Sequence, residues 1–194
     1  MNNHSLHCIL ETYTLFNGNK ILGWFLLHPS ERQSINGLAR TLGISPGSVK
    51  NYADVLEAAN ILDRERAGTA HLLSLRNDNP VVIAMKRAAV LLVLSEAGVN
   101  GLVPGAISLA LYGSMATGQY DGKSDIDLLA LSDAATATSA SIRPDVVAAL
   151  EEAMGFEVQV TLLSWHEWEM MKDRGDPYPE NVLKNHVLLA GAVL

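Results

Sequence analysis

The sequence predicts an α+β protein of two small domains, and three observations carry that prediction. Residues 1–79 hold apolar residues at helical spacing on either side of a tight glycine turn, followed by two short strand-like runs. The rest of the chain holds two apolar strand runs, the first ending in a glycine-rich turn and the second opening on a pair of aspartates. Between these patterns, Asn77-Asp78-Asn79 closes one segment, and Pro80 suits the first position of a new helix. The domains are accordingly placed at residues 1–79 and 80–194, with residues 80–97 as a connecting hydrophobic helix.

The composition supports this division. A chain of 194 residues suits one or two domains, and 48% hydrophobic against 18% charged residues excludes a disordered polymer. Lys86 and Arg87 interrupt the most apolar stretch, residues 81–94, so no membrane span is expected. The single cysteine, Cys8, forms no intramolecular disulfide, and no signal-peptide pattern is visible at the start of the chain, which together point to the cytoplasm. The net charge of -7 is unevenly placed: residues 1–80 carry seven Lys and Arg against seven Asp and Glu, whereas residues 81–194 carry seven against fourteen. A polyanionic partner is therefore disfavoured for the second domain only.

In the first domain an apolar run spans residues 21–27. Ser34 is placed to cap a helix bearing Ile35, Leu38, Ala39 and Leu42, which Gly43 ends. Ser45 and Pro46 then start another helix, with Val49, Tyr52, Ala53 and Leu56 on one face. Two helices about a tight turn make a helix-turn-helix, and residues 61–66 and 70–75 around Ala67-Gly68-Thr69 make a hairpin, or wing. Over residues 20–76 this pattern resembles the winged helix-turn-helix domains of prokaryotic transcriptional regulators. The resemblance implies a third helix in the major groove of duplex DNA, exposing Ser45, Gly47, Ser48, Lys50 and Asn51, with Arg64 and Arg66 near phosphates. Asp54, Glu57, Asp63 and Glu65 dilute the positive field such binding uses, so protein contact or dimerisation stands beside it, and a homodimer is expected.

In the second domain residues 81–94 read as a buried helix, and residues 106–112 as a strand running into Gly113-Ser114-Met115-Ala116-Thr117-Gly118. Glycines there let backbone N–H groups approach an anion, and a helix beginning at Ser114 aims its positive end at a phosphate. Ser124-Asp125-Ile126-Asp127-Leu128 follows, and strand alternation puts both aspartates on one face, roughly 7 Å apart. Paired carboxylates repel unless a cation bridges them. The combination suits metal-assisted chemistry on a nucleoside triphosphate, with Gly113 and Ser114 holding phosphate and Asp125 and Asp127 holding Mg²⁺.

Gly113, Ser114, Ala116, Gly118, Ser124, Asp125, Ile126, Asp127 and Leu128 together resemble the DNA polymerase β-like nucleotidyltransferase superfamily, particularly its minimal nucleotidyltransferases. A helix at 144–154, a strand at 156–163 and the closing residues 180–191 extend the likeness. The resemblance implies transfer of a nucleoside monophosphate from Mg²⁺·NTP to a hydroxyl. It also implies a third carboxylate on a later strand, where this chain has Gln159, with Glu157 two residues away on the same strand face as a substitute ligand. The family's frequent arginine is absent, Met115 and Thr117 standing in its neighbourhood, and Lys123 is the candidate counter-charge. The expected site is therefore Asp125, Asp127, Glu157 and Gln159 for catalysis, with Gly113, Ser114, Gly118 and Lys123 on the nucleotide.

Trp165, Trp168 and Met171, behind a Ser164 cap, recur at core spacing and read as packing residues rather than base platforms. His4, His7, His28 and His71 lack metal-ligand spacing. Two rival readings remain: a DNA-binding regulator whose second domain is catalytically degenerate and senses nucleotide or dimerises, and an antitoxin-like partner of another protein.

Overall fold

Ser34 and Ser45 each stand one residue ahead of a helix, and each satisfies one of the helix's unpaired backbone donors. Ser34 Oγ accepts from the Gly37 N–H at 3.0 Å, and Ser45 Oγ from the Ser48 N–H at 3.1 Å. In the computed structural model, which describes residues 16–68, 70–133 and 142–194, these caps open α2 (Ile35–Leu42) and α3 (Pro46–Ala58). His4, His7, Cys8, the hairpin residue Thr69 and the Ala/Thr/Ser tract at 134–141 lie outside the described residues.

Among the described residues the first unit holds α1 (Asn17–Leu27) and β1 (Arg32–Ser34), continues through α2 and α3, and then forms β2 (Leu62–Ala67) and β3 (Ala70–Leu75). Gly43 ends α2 in the left-handed region at φ 65°, a conformation that favours glycine. Strands β2 and β3 pair antiparallel from Leu62↔Leu75 to Ala67↔Ala70. Strand β1 adds antiparallel to the other edge of β3, giving the order β1-β3-β2. Ile21, Phe25, Leu38, Val49, Leu62 and Leu73 are fully buried in the core that these elements share.

Helix α4 (Pro80–Glu96) starts where Asn79 Oδ1 accepts the Val81 N–H at 2.8 Å. It is not apolar-buried all round. Val82, Lys86, Val90 and Leu94 form one buried stripe, whereas Val81 is 55% exposed. The buried Lys86 ammonium donates to Asn77 Oδ1 at 3.0 Å. The chain divides into two units between Leu92 and Val93, inside this helix rather than at its first residue, because Val82, Met85 and Ala89 pack with the first core.

The second unit contains β4 (Ser108–Tyr112), α5 (Gly113–Thr117), β5 (Ile126–Ser132), α6 (Pro144–Met154), β6 (Val158–Ser164), α7 (Trp165–Asp173), α8 (Pro177–Lys184) and β7 (Val187–Gly191). The sheet order is β6-β5-β4-β7, with β5/β6 parallel and both β4 pairings antiparallel. This short mixed sheet makes the unit α+β, as expected. Strand β5 is central, and Leu128, Leu129, Ala130 and Leu131 are wholly buried. Leu129 and Leu131 pack against Trp168 of α7 and Val182 of α8. A reciprocal capping box between Ser164 and Glu167 starts α7, and Trp168 is buried as its spacing predicts.

Candidate functional site

The site begins where β4 ends. Tyr112 pairs with Asp127 across the antiparallel ladder, and the chain then turns at Gly113 with φ 72°. A Cβ on Gly113 would lie 2.5 Å from Asp127 Oδ2, so the carboxylate occupies the space a side chain would need. The turn continues into the five-residue helix α5, which Gly118 closes at φ 78°. Thr117 Oγ1 and the Gln119 N–H both donate to the Ser114 carbonyl, each at 3.0 Å, fixing the far side of the turn.

A second tight turn delivers the aspartate pair. Asp121 Oδ1 accepts from the Lys123 N–H at 2.9 Å and from Ser124 Oγ at 3.3 Å, while the Asp121 N–H donates to Ser124 Oγ at 3.0 Å. Asp125 follows immediately, and the Ile126 N–H ties this end of β5 to the Glu157 carbonyl at 2.8 Å. Burial first, and the neighbouring Asp125 charge second, push the Asp127 carboxyl above the usual aspartate range. The charge of Asp125 thus acts on Asp127.

Parallel strands β5 and β6 put Asp127 level with Gln159, and residues level across such a pair point to the same face. Gln159 thus stands beside Asp127. Gln159 Nε2 donates to Glu157 Oε1 at 2.9 Å, and both side chains are exposed. Among the described residues no three His, Cys, Asp or Glu side chains come together as a metal site, so Glu157 does not complete a three-carboxylate set with the aspartates. Asp125 and Asp127 are hard oxygen donors whose mutual repulsion a divalent cation would relieve.

Behind Asp127 lie three hydroxyls: Tyr178 Oη donates to Tyr112 Oη at 3.2 Å, and Tyr112 Oη is 3.4 Å from Thr161 Oγ1. Burial is the main reason that the Tyr178 phenol is held well above its ordinary pKa, so it stays protonated. Beside the Gly113 turn opens a pocket of about 330 Å³, lined by Gly113, Ser114, Thr117, Gln119, Asn181 and Asn185. Gly118 and Lys123 do not line it; Lys123 is exposed on the loop before Asp125. Sequence reasoning missed Asn181 and Asn185. Their signal was two carboxamides one helical turn apart, on either side of the buried Val182.

The residues expected on DNA are distributed differently. Ser45 Oγ is engaged as the α3 cap, and Ser48 Oγ accepts from Asn17 Nδ2 at 3.1 Å. Asn51 is exposed on α3. Lys50 Nζ pairs with Asp54 at 2.9 Å. Arg64 pairs with the same Asp54 at 2.6 Å and with Glu57 at 3.2 Å, leaving its side chain only 16% exposed. Arg66 Nε donates to the Gly68 carbonyl at 3.2 Å. The cations that would meet phosphate are thus largely spent on neighbouring carboxylates and carbonyls.

Residues 99–188 match the family model of the nucleotidyltransferase domain. The match spans β4, the Gly113 turn, the aspartate pair, β6 and α8. Neither a curated protein nor a solved structure matches the chain. That part of the second unit is therefore similar to nucleotidyltransferase domains, and residues before 99 lie outside the match.

Proposed function

We propose that this domain binds a magnesium-complexed nucleoside triphosphate and transfers its nucleoside monophosphate to a hydroxyl acceptor, releasing pyrophosphate. The observation that carries the reading is the close approach of the Gly113 turn to the Asp127 carboxylate, because it makes a phosphate chain and a carboxylate-bound cation neighbours. Asp125 and Asp127 would hold the Mg²⁺, which when bound neutralises phosphate charge and orients the chain. Gly113 and Ser114 offer backbone N–H groups and a hydroxyl to phosphate oxygens. Gln159 can hydrogen-bond an acceptor hydroxyl but cannot take its proton, so positioning and charge neutralisation supply the rate. In the transfer the acceptor oxygen bonds to the α-phosphorus, the bond to the leaving pyrophosphate breaks, and the hydroxyl proton passes to solvent.

A second reading is nucleotide sensing without transfer. Its support is the neutral Gln159 engaged with Glu157 beside Asp127. One experiment separates the two: the full chain and its Asp127→Asn variant are incubated with Mg²⁺, each α-labelled NTP and cell lysate. Label transferred by the native chain and lost in the variant supports transfer. Aspartate-dependent binding without transferred label supports sensing.

The first unit is read as a winged helix, supported by its run of helix, strand, two helices and hairpin and by the strand order β1-β3-β2. On α3, Tyr52 and Val55 are exposed at 39% and 63% beside the paired Lys50 and Arg64. That mixture suits a protein surface better than the phosphates of duplex DNA.

A further inference from the structure

The pocket beside the Gly113 turn has two walls of different origin. One is the turn itself, through Gly113, Ser114, Thr117 and Gln119; the other is Asn181 on α8 and Asn185 just past its end. Every lining side chain is uncharged. Lys184, the cation nearest in sequence, turns instead to Glu180 at 2.8 Å. No aromatic ring lines the pocket either, so a nucleobase would find no stacking surface there. Hydroxyl and carboxamide hydrogens remain, and each Asn offers two donors from its Nδ2. Among the described residues neither carboxamide is engaged in a hydrogen bond within the protein, and both residues are exposed. These are carboxamide donors in the same pocket as the turn on which a triphosphate would lie, and among the described residues no cationic side chain lines it.

We infer that Asn181 and Asn185 hold the β- and γ-phosphates of the bound nucleoside triphosphate through their carboxamide N–H groups, in place of a cationic side chain. The inference rests on the nucleotidyltransferase reading above. A neutral donor to a charged oxygen makes a strong hydrogen bond, yet it brings no net charge for salt to screen. Tail binding at this wall is therefore specific for phosphate oxygens and only weakly salt-dependent.

The test is calorimetric titration of the full chain with ATP, AMP and tripolyphosphate in the presence of Mg²⁺, at low and high salt. Asn181→Asp and Asn185→Asp keep size and shape while setting a carboxylate against the phosphates. Each is expected to weaken ATP and tripolyphosphate by about tenfold or more while leaving AMP unchanged. Asn181→Lys is expected to tighten ATP and to make its affinity fall more steeply with salt. Equal losses for ATP and AMP would assign the carboxamides to the nucleoside and overturn the inference, as would variants that bind all three ligands like the native chain. A native chain that binds neither ATP nor tripolyphosphate overturns the nucleotidyltransferase reading itself, a result distinct from native binding that ignores the asparagine substitutions.

Discussion

The Asp127 carboxylate fills the volume that a side chain at Gly113 would occupy, with Oδ2 lying 2.5 Å from the position of a Cβ there. Backbone conformation and steric space thus both demand glycine at this point, and they do so at the junction of the phosphate turn and the aspartate pair. Gly113→Ala should cost about 1–2 kcal/mol from the left-handed backbone alone. Because the obstructing atom is the end of a side chain, Asp127 yields rather than the strand. The expected result is a modest fall in Tm with a larger loss of Mg²⁺-dependent nucleotide affinity; intact affinity at reduced Tm would separate the turn from the site.

Asp127 also makes the fold pH-sensitive in a defined direction. Its carboxyl is raised above the unfolded value, chiefly by burial and then by Asp125, so its ionisation opposes folding. The stabilising contribution of the protonated form is complete below the ordinary aspartate pKa and is lost as pH rises through the elevated one. Asp127→Asn should therefore raise Tm at neutral pH without added divalent cation. The gain should shrink as pH falls through the elevated value and vanish below the ordinary aspartate range, and thermal melts across pH measure it. A gain that is constant with pH would mean that packing, not charge, is what the substitution changes.

Much of the fold was legible because its signals are local. Ser34, Gly43 and Ser45 mark helix ends through their own backbones, and the Asp125/Asp127 alternation needs only a strand. What depended on distant partners was not legible. The polar Arg32-Gln33-Ser34 carries no strand period, and it becomes β1 because Leu72, Leu73 and Ser74 lie across from it. The resemblance points to Gln159 and leaves Glu157, two residues away, as the substitute; it is the parallel β5/β6 register that sets Gln159 level with Asp127. Asn181 and Asn185 read as ordinary polar positions on a short helix until α8 is set beside the Gly113 turn. Asp54 and Glu57 read from sequence only as diluting the positive field; that they pair directly with Lys50 and Arg64 depends on the fold.

That arrangement makes Asp54 a test of what α3 contacts. Lys50, then Arg64, hold its carboxyl below the usual range, so it stays ionised at neutral pH and keeps both cations occupied. Asp54→Asn releases them. If the α3 face meets duplex DNA, the variant should bind it several-fold more tightly than the native chain at low salt, with the advantage fading as salt rises. Fluorescence anisotropy with a labelled duplex reads both quantities, and no gain at low salt would leave protein contact as the role of this face.

Gly191 guards the sheet edge next to α8. At φ 87° it pairs with Ser108, and a Cβ on it would collide with the Ile107 carbonyl oxygen, a backbone atom that cannot swing aside. Gly191→Ala should cost about 1–3 kcal/mol in backbone strain, with the collision adding to it. Denaturant unfolding should show the loss as a lower midpoint. Since β7 follows α8 directly, nucleotide affinity should fall with it, whereas an unchanged midpoint would mean that the edge strand is not held by the β4 pairing.

Gln159 supplies the sharpest test of the chemistry. Its level position beside Asp127 means that Gln159→Asp sets a third carboxylate on the same sheet face and removes the amide that now donates to Glu157. Three carboxylates repel one another more strongly than two, so the variant should be less stable than the native chain without divalent cation and should recover with Mg²⁺ or Mn²⁺. It should also bind these ions more tightly and speed any transfer that the native chain performs. Melts with and without cation read the first effect, and label transfer from α-labelled NTP reads the second. Recovery with cation but no transfer would assign the native domain to nucleotide sensing; no response to cation would remove Gln159 from the site.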